Sequence, residues 1–228
     1  GVELRGLLLG LGVAENAQDV ALLHDQVVDT VELDLGARPL AEQHPVAFLH
    51  VEGDELAGLV AAARADSDDL LTDDALETVA NSWLDISDDK SFAGIAGLDI
   101  TMDTREVIGS GLPQEHIDCN AIDIRYRHHV TGDMKEVFRT EVLREFPFPE
   151  FAGERFCPEQ LVWFRMARRY RLRYINKPIY IADYQPDGIT AGITRARMRN
   201  PSASMLTYAE LTECPVPFLV KVKAAINF

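Results

Sequence analysis

The stretch Asp66-Ser67-Asp68-Asp69-Leu70-Leu71-Thr72-Asp73-Asp74-Ala75-Leu76-Glu77 cannot be laid down inside a hydrophobic core. Asp66, Asp68 and Asp69 fall within four positions, and like charges that close repel unless solvent or a cation screens them. The segment therefore reads as a loop delivering the chain into a helix, with Leu76, Val79, Ala80, Trp83 and Leu84 at helical spacing. Asp74 with Glu77 three residues on has the form of a capping box, so Asp73, Asp74 and Glu77 are assigned to starting that helix. Asp66, Asp68 and Asp69 are left over. Either they form a solvated acidic turn, or they hold a divalent cation, whose preference for hard oxygen ligands they match. An EF-hand loop counted from Asp66 fails, because Leu70 and Leu71 occupy positions that need an oxygen ligand and a turn glycine.

Charge is spread unevenly. Residues 1–100 carry 21 acidic and 4 basic side chains, whereas residues 101–228 carry 16 and 18. An acidic half of that kind excludes broad nucleic-acid binding, which needs Lys and Arg against phosphate. With 228 residues, 47% of them hydrophobic, the chain is long and apolar enough to bury a core. No apolar run reaches the length of a membrane span, and the N-terminus has no basic region followed by a signal-type core. Cys119, Cys157 and Cys214 form an odd, scattered set, which argues against a disulfide framework and for a reducing, cytoplasmic setting. Composition also changes abruptly: before Ser67 there is no Ser, Ile, Lys, Tyr, Cys, Met or Trp. Residues 1–64 are therefore set apart as an atypical acidic segment of different origin, for which an out-of-frame gene fragment is one explanation.

Within residues 1–64 the pattern predicts a helix over 15–28, strands at Val31 to Leu35 and Pro45 to Val51, and an Ala-rich, more helical than extended run from Leu56 to Ala65. His24, His44 and His50 have no spacing that makes a metal site. Beyond residue 65 the expected order is a helix over 73–85, a buried strand from Phe92 to Ile100, a polar turn and a short return over Glu106 to Ile108. A turn at Gly132-Asp133, a strand from Glu136 to Arg139 and a short helix from Thr140 to Glu145 follow. Pro158 introduces a helix from Glu159 to Arg171, whose later turns are rich in arginine. Strands from Leu172 to Ile175 and Ile179 to Tyr184 flank an Asn176-Lys177-Pro178 turn, and a helix over 203–213 precedes a tail, 214–228.

Five segments in this order carry a resemblance. Asp66-Ser67-Asp68-Asp69, Gly132-Asp133, Val137-Phe138-Arg139-Thr140, Glu154-Arg155-Phe156-Cys157-Pro158-Glu159 and Tyr174-Ile175-Asn176-Lys177-Pro178 together resemble the latter part of a family-2 glycosyltransferase of the bacterial surface-polysaccharide type, over residues 65–210. The resemblance implies an α/β fold of GT-A type, a mixed sheet flanked by helices, with the catalytic part at 65–213. It implies a metal-dependent, inverting transfer of a sugar from a nucleotide-sugar donor to the hydroxyl of a saccharide or lipid-linked acceptor. In such enzymes an Asp-x-Asp pair holds Mg²⁺ or Mn²⁺ on the donor diphosphate, which matches Asp66 and Asp68, with Asp69 beside them. The general base on the acceptor matches Glu159, with Glu154 second. The resemblance further implies that Arg139 and Asp133 line the acceptor side, that Arg195, Arg197 and Arg199 reach the diphosphate from a mobile tail, and that the enzyme works in the cytoplasm or at the inner face of the membrane, with peripheral membrane association.

Two motifs of that family's N-terminal half, Pro-x-Tyr-Asn and Asp-Asp-x-Ser, do not occur in residues 1–64. The nucleotide-gripping half is thus expected to be incomplete or replaced, with Asp29 and Asp34 as weak stand-ins for a ribose-binding carboxylate, and the chain, as a fragment, is expected to be inactive. The competing reading is a non-catalytic acidic module that binds cations or a basic protein.

Overall fold

The computed structural model describes residues 30–33, 46–50, 60–64, 69–184 and 192–227. The helix expected over 15–28 lies outside them. The described chain is a mixed α/β fold built on one sheet. Its strands are β1 (Thr30–Leu33), β2 (Val46–His50), β3 (Val60–Arg64), β4 (Leu70–Leu71), β5 (Phe92–Thr101), β6 (His116–Cys119), β7 (Met134–Arg139) and β8 (Arg171–Ala182). They run in the order β1-β2-β3-β7-β5-β8-β4, with β6 also paired to β8. The central pair β5 and β8 is parallel, and β7 lies antiparallel against β5. Leu172–Ile175 of β8 pair with β6 and Tyr180 and Ile181 with β4, so two short strands share one flank of a long one.

β5 explains the layering. Nine of its ten residues are buried, which only a strand covered on both faces achieves. On one face Ile95 joins Ile175 and Ile179 against Ala75, Val79 and Trp83 of helix α1 (Ala75–Leu84). On the other, Ala96 and Leu98 join Tyr174 against Val142 of α3 (Thr140–Glu145) and Val162 and Met166 of α4 (Gln160–Ala167). A short α2 (Asp123–Tyr126) precedes β7. After β8 come α5 (Ile193–Arg199), α6 (Pro201–Glu213) and α7 (Phe218–Asn227). Phe164, on α4, packs with Ile122, Cys214 and Val216 in a third cluster that seats this helical layer.

Five local expectations are corrected. The Ala-rich run is extended, because β3 is paired on both sides, to β2 and to β7, and cross-strand pairing outweighs alanine's helix preference. The capping box does not form: Asp74 makes no side-chain cap bond and instead accepts a hydrogen bond from Thr72 Oγ1 at 3.0 Å. The helix from Glu159 ends at Ala167, since Arg171 is already the first residue of β8. Asn176-Lys177-Pro178 is no turn between two strands. It is an irregularity inside β8, where Ala96 and Leu98 face Tyr174 and Pro178, and Asn176 is pinned by Glu115 O and by the Leu112 amide. The arginines of the supposed mobile tail lie on helix α5.

Candidate functional site

The carboxyl ends of β5 and β8, the start of β7 and the entry to β4 meet because β7 and β4 run antiparallel to the central pair. In open α/β sheets this is the end at which ligands bind. The side chains gathered there are acidic. Asp69 precedes β4, Asp99 lies near the end of β5, Asp133 precedes β7, and Asp183 and Tyr184 follow β8.

Asp69 is anchored. Its Oδ2 accepts from the Tyr180 hydroxyl at 2.6 Å and its Oδ1 from the Asp183 amide at 2.8 Å. Asp133 Oδ2 accepts from the Tyr184 hydroxyl at 2.7 Å, a bond that, with burial, holds that phenol above its ordinary range. The turn carrying Asp133 is rigid. Gly132 has φ +90° and Gly109 φ +100°, and a Cβ on either would lie about 2 Å from a carbonyl oxygen of the other's loop. Arg125 fastens the same turn by donating to Gly132 O at 2.6 Å and Val130 O at 3.2 Å.

Asp99 is the exception among these acids. It is 5% exposed, and its Oδ1 is buried with no hydrogen-bond partner. Burial pushes its carboxyl up to about 7, the Lys135 ammonium opposes, and the charges of Asp133 and Asp69 push further. Lys135 Nζ itself sits 3.5 Å from the centre of the Tyr180 ring. A buried acceptor with no partner suits a hydrogen-bond donor such as a hydroxyl group.

Glu159 stands at the N-terminal cap of α4 and makes no side-chain cap bond there. Its charge is felt by Glu136 of β7, half-buried, whose carboxyl is raised to about 8, first by burial and next by the Glu159 charge, with Lys135 opposing and Asp99 adding. One strand thus feels both the start of α4 and the acidic cluster. Glu136 therefore favours its neutral form more than an ordinary carboxyl does.

The other expected site residues have identifiable partners. Glu154 accepts from the Ser202 and Ala203 amides at 2.7 and 3.0 Å. Burial opposes ionisation, but these N–H donors win and hold its carboxyl below the ordinary range. It is the cap of α6, a job done from a distant loop because Pro201 opens that helix. Arg139 is 5% exposed, donates to Phe92 O and Ser87 O at 2.9 Å each, and stacks 4.3 Å from the Trp83 ring, so it staples the loop after α1 to the sheet. Arg197 donates to the Tyr208 hydroxyl at 2.7 Å, while Arg195 and Arg199 are exposed. Asp66 and Asp68, with Asp29 and Asp34, lie outside the described residues.

Among the described residues no three His, Cys, Asp or Glu side chains converge closely enough to hold a metal ion. Asp99, Lys135, Glu136 and Tyr184 had not been singled out from the sequence. The available signal was Asp99 itself, a lone carboxylate in the otherwise apolar run Phe92–Thr101. No protein-family model matches this chain, and no curated protein matches it.

Proposed function

We propose that this chain is a glycosyltransferase of GT-A type that moves a sugar, with inversion, from a nucleotide-sugar donor to an acceptor hydroxyl. The observation that carries the reading is the acidic cluster at the carboxyl ends of β5 and β8, set beside the start of β7 and coupled through Glu136 to Glu159. Asp66 and Asp68 are the residues that would hold Mg²⁺ or Mn²⁺, and such an ion, when bound, neutralises the departing diphosphate. Asp69, tied to Tyr180 and to the Asp183 amide, fixes the end of that loop on the sheet.

Glu159 takes the proton from the acceptor hydroxyl as it attacks the anomeric carbon. It stands at the N-terminal end of α4, and the carboxyl of Glu136, which feels its charge, is shifted toward the neutral form. Asp133, held by Tyr184, would accept a hydrogen bond from an acceptor hydroxyl. Arg195 and Arg199 are exposed cations available to the diphosphate. The acceptor is a saccharide or lipid-linked sugar, and the reaction runs on the cytoplasmic side.

Calorimetric titration of the chain with UDP in the presence and absence of Mn²⁺ tests the donor side. Metal-dependent UDP binding, lost in Asp68→Asn and kept in Glu159→Gln, supports the proposal. Mn²⁺ binding without any UDP dependence would instead favour the acidic cation-binding module.

A further inference from the structure

Helix α7 packs on the molecule by one narrow face. Val220 joins the cluster of Ile122, Phe164, Cys214 and Val216, and Ala224 is buried. The opposite face is apolar too and is open to solvent: Phe218 is 77% exposed, Leu219 72% and Ile226 78%, with Val222 beside them. At 3.6 residues per turn, Phe218, Val222 and Ile226 stack one above another with Leu219 alongside, directly across the helix from Val220 and Ala224. Lys221 and Lys223 fall on the two margins of this stripe, one on each side.

The charge around the helix is as one-sided as its apolar surface. Residues 215–228 contain no Asp or Glu, in a chain whose net charge is −15. The carboxylates of the neighbouring α6 are turned to α4: Arg165 meets Glu210 at 2.6 Å and Arg168 meets Glu213 at 3.2 Å. The two lysines are thus a local cationic rim around a solvent-facing apolar stripe.

We propose that α7 is a membrane-surface helix, its exposed stripe entering the headgroup boundary of an anionic bilayer while Lys221 and Lys223 reach sideways to lipid phosphates. Long lysine stems that lie along an apolar face with the ammonium at its edge have the geometry for this. Over Phe218–Asn227 the helix is about 15 Å long, and its packed face, Val220 and Ala224, keeps it against the fold, so the exposed stripe meets a bilayer side-on. Among the described residues no helix is long and apolar enough to span. A second copy of the chain is a poorer occupant. Two such stripes face to face would bring lysine margin against lysine margin, with no carboxylate on either helix to answer them. The inference is independent of the sugar-transfer reading, because it uses none of the acidic cluster.

The test is co-sedimentation of the whole chain with vesicles of phosphatidylcholine alone and of phosphatidylcholine mixed with phosphatidylglycerol. The chain should partition onto the mixed vesicles, weakly onto the neutral ones, and less as salt rises. Lys221→Glu with Lys223→Glu should lower partitioning to mixed vesicles by roughly fivefold or more per lysine. Leu219→Glu with Ile226→Glu should abolish it while leaving circular dichroism and thermal unfolding unchanged, since both side chains are exposed. Absence of partitioning by the unmodified chain, equal partitioning onto both vesicle types, or retention by the Leu219→Glu, Ile226→Glu variant would each overturn the proposal. So would a lipid-free dimer that this variant dissociates.

Discussion

Replacing Asp99 with Asn isolates the electrostatic tension at the end of β5. Burial and the neighbouring acids raise this carboxyl from the ordinary 3.8 to about 7. The sign follows from linkage. Below the unfolded value both states hold the proton and Asp99 costs nothing. Between about pH 4 and 7 the unfolded chain releases the proton while the folded chain keeps it, so stability falls as pH rises; above 7 the loss is complete and constant. A displacement of that size corresponds to roughly 4 kcal/mol, and because the group is 5% exposed solvent screening takes little from it. Asparagine has no such titration and still offers an oxygen to the Lys135 amide. Urea unfolding of both proteins should show Asp99→Asn nearly neutral at about pH 4 and stabilising by several kcal/mol at about pH 8. The difference between the two pH values is the decisive quantity, since packing effects of the substitution cancel in it. A stability change that is the same at both ends of that range would refute a buried, destabilised carboxyl at this position.

Gly132→Ala should destabilise the fold by at least about 2 kcal/mol in urea unfolding, because a Cβ at φ +90° meets the Ile108 carbonyl. Arg139→Ala strips donors from the carbonyls of Phe92 and Ser87 and uncovers Trp83. It should cost about 3 kcal/mol or more and shift the tryptophan emission of the native state. Glu159→Gln removes one of the charges that raise Glu136, so the Glu136 carboxyl, followed by carbon-13 NMR, should titrate at a pH lower than about 8. An unmoved titration would separate the start of α4 from the cluster.

The parts of this fold written by hydrophobic pattern were readable in the sequence. β5 is a continuous apolar run, and α3 from Thr140 to Glu145 is bounded by a strand and by Pro147, so both were located to within a residue or so. What escaped reading depended on partners distant in sequence. Asn176-Lys177-Pro178 has the composition of a turn, yet Leu112 and Glu115 hold it in line with β8. β6 alternates exposed His116 and Asp118 with buried Ile117 and Cys119, but four residues are too short a run to register. The candidate site divides in the same way. Asp69, Asp133 and Glu159 were singled out by motif order, whereas Asp99 is informative only once its burial is known. Glu154 and Arg139 were singled out by the same resemblance, and only the structure shows that the amides of Ser202 and Ala203 hold the one and the carbonyls after α1 the other.

The acids of the cluster differ in how their charge is held, and this makes a prediction about cation binding. Asp69 and Asp133 each accept a hydrogen bond from a tyrosine hydroxyl, while Asp99 has one oxygen with no partner. The charge of Asp99 is therefore the adjustable one. A cation drawn into the cluster lowers the cost of ionising Asp99, and by reciprocity ionisation of Asp99 must raise affinity for the cation. If the ion held by Asp66 and Asp68 feels this field, Mn²⁺ affinity measured by calorimetry should climb between pH 6 and 8 by up to about tenfold per pH unit below the midpoint, levelling off above it. The Asp99→Asn variant should bind more weakly at the upper end and lose most of that slope, with Glu136 contributing what remains near its own midpoint of about 8. An affinity that is flat with pH in the unmodified chain would mean that the cation and the buried carboxyl do not share a field, and the acidic cluster would then have to be read as two separate features.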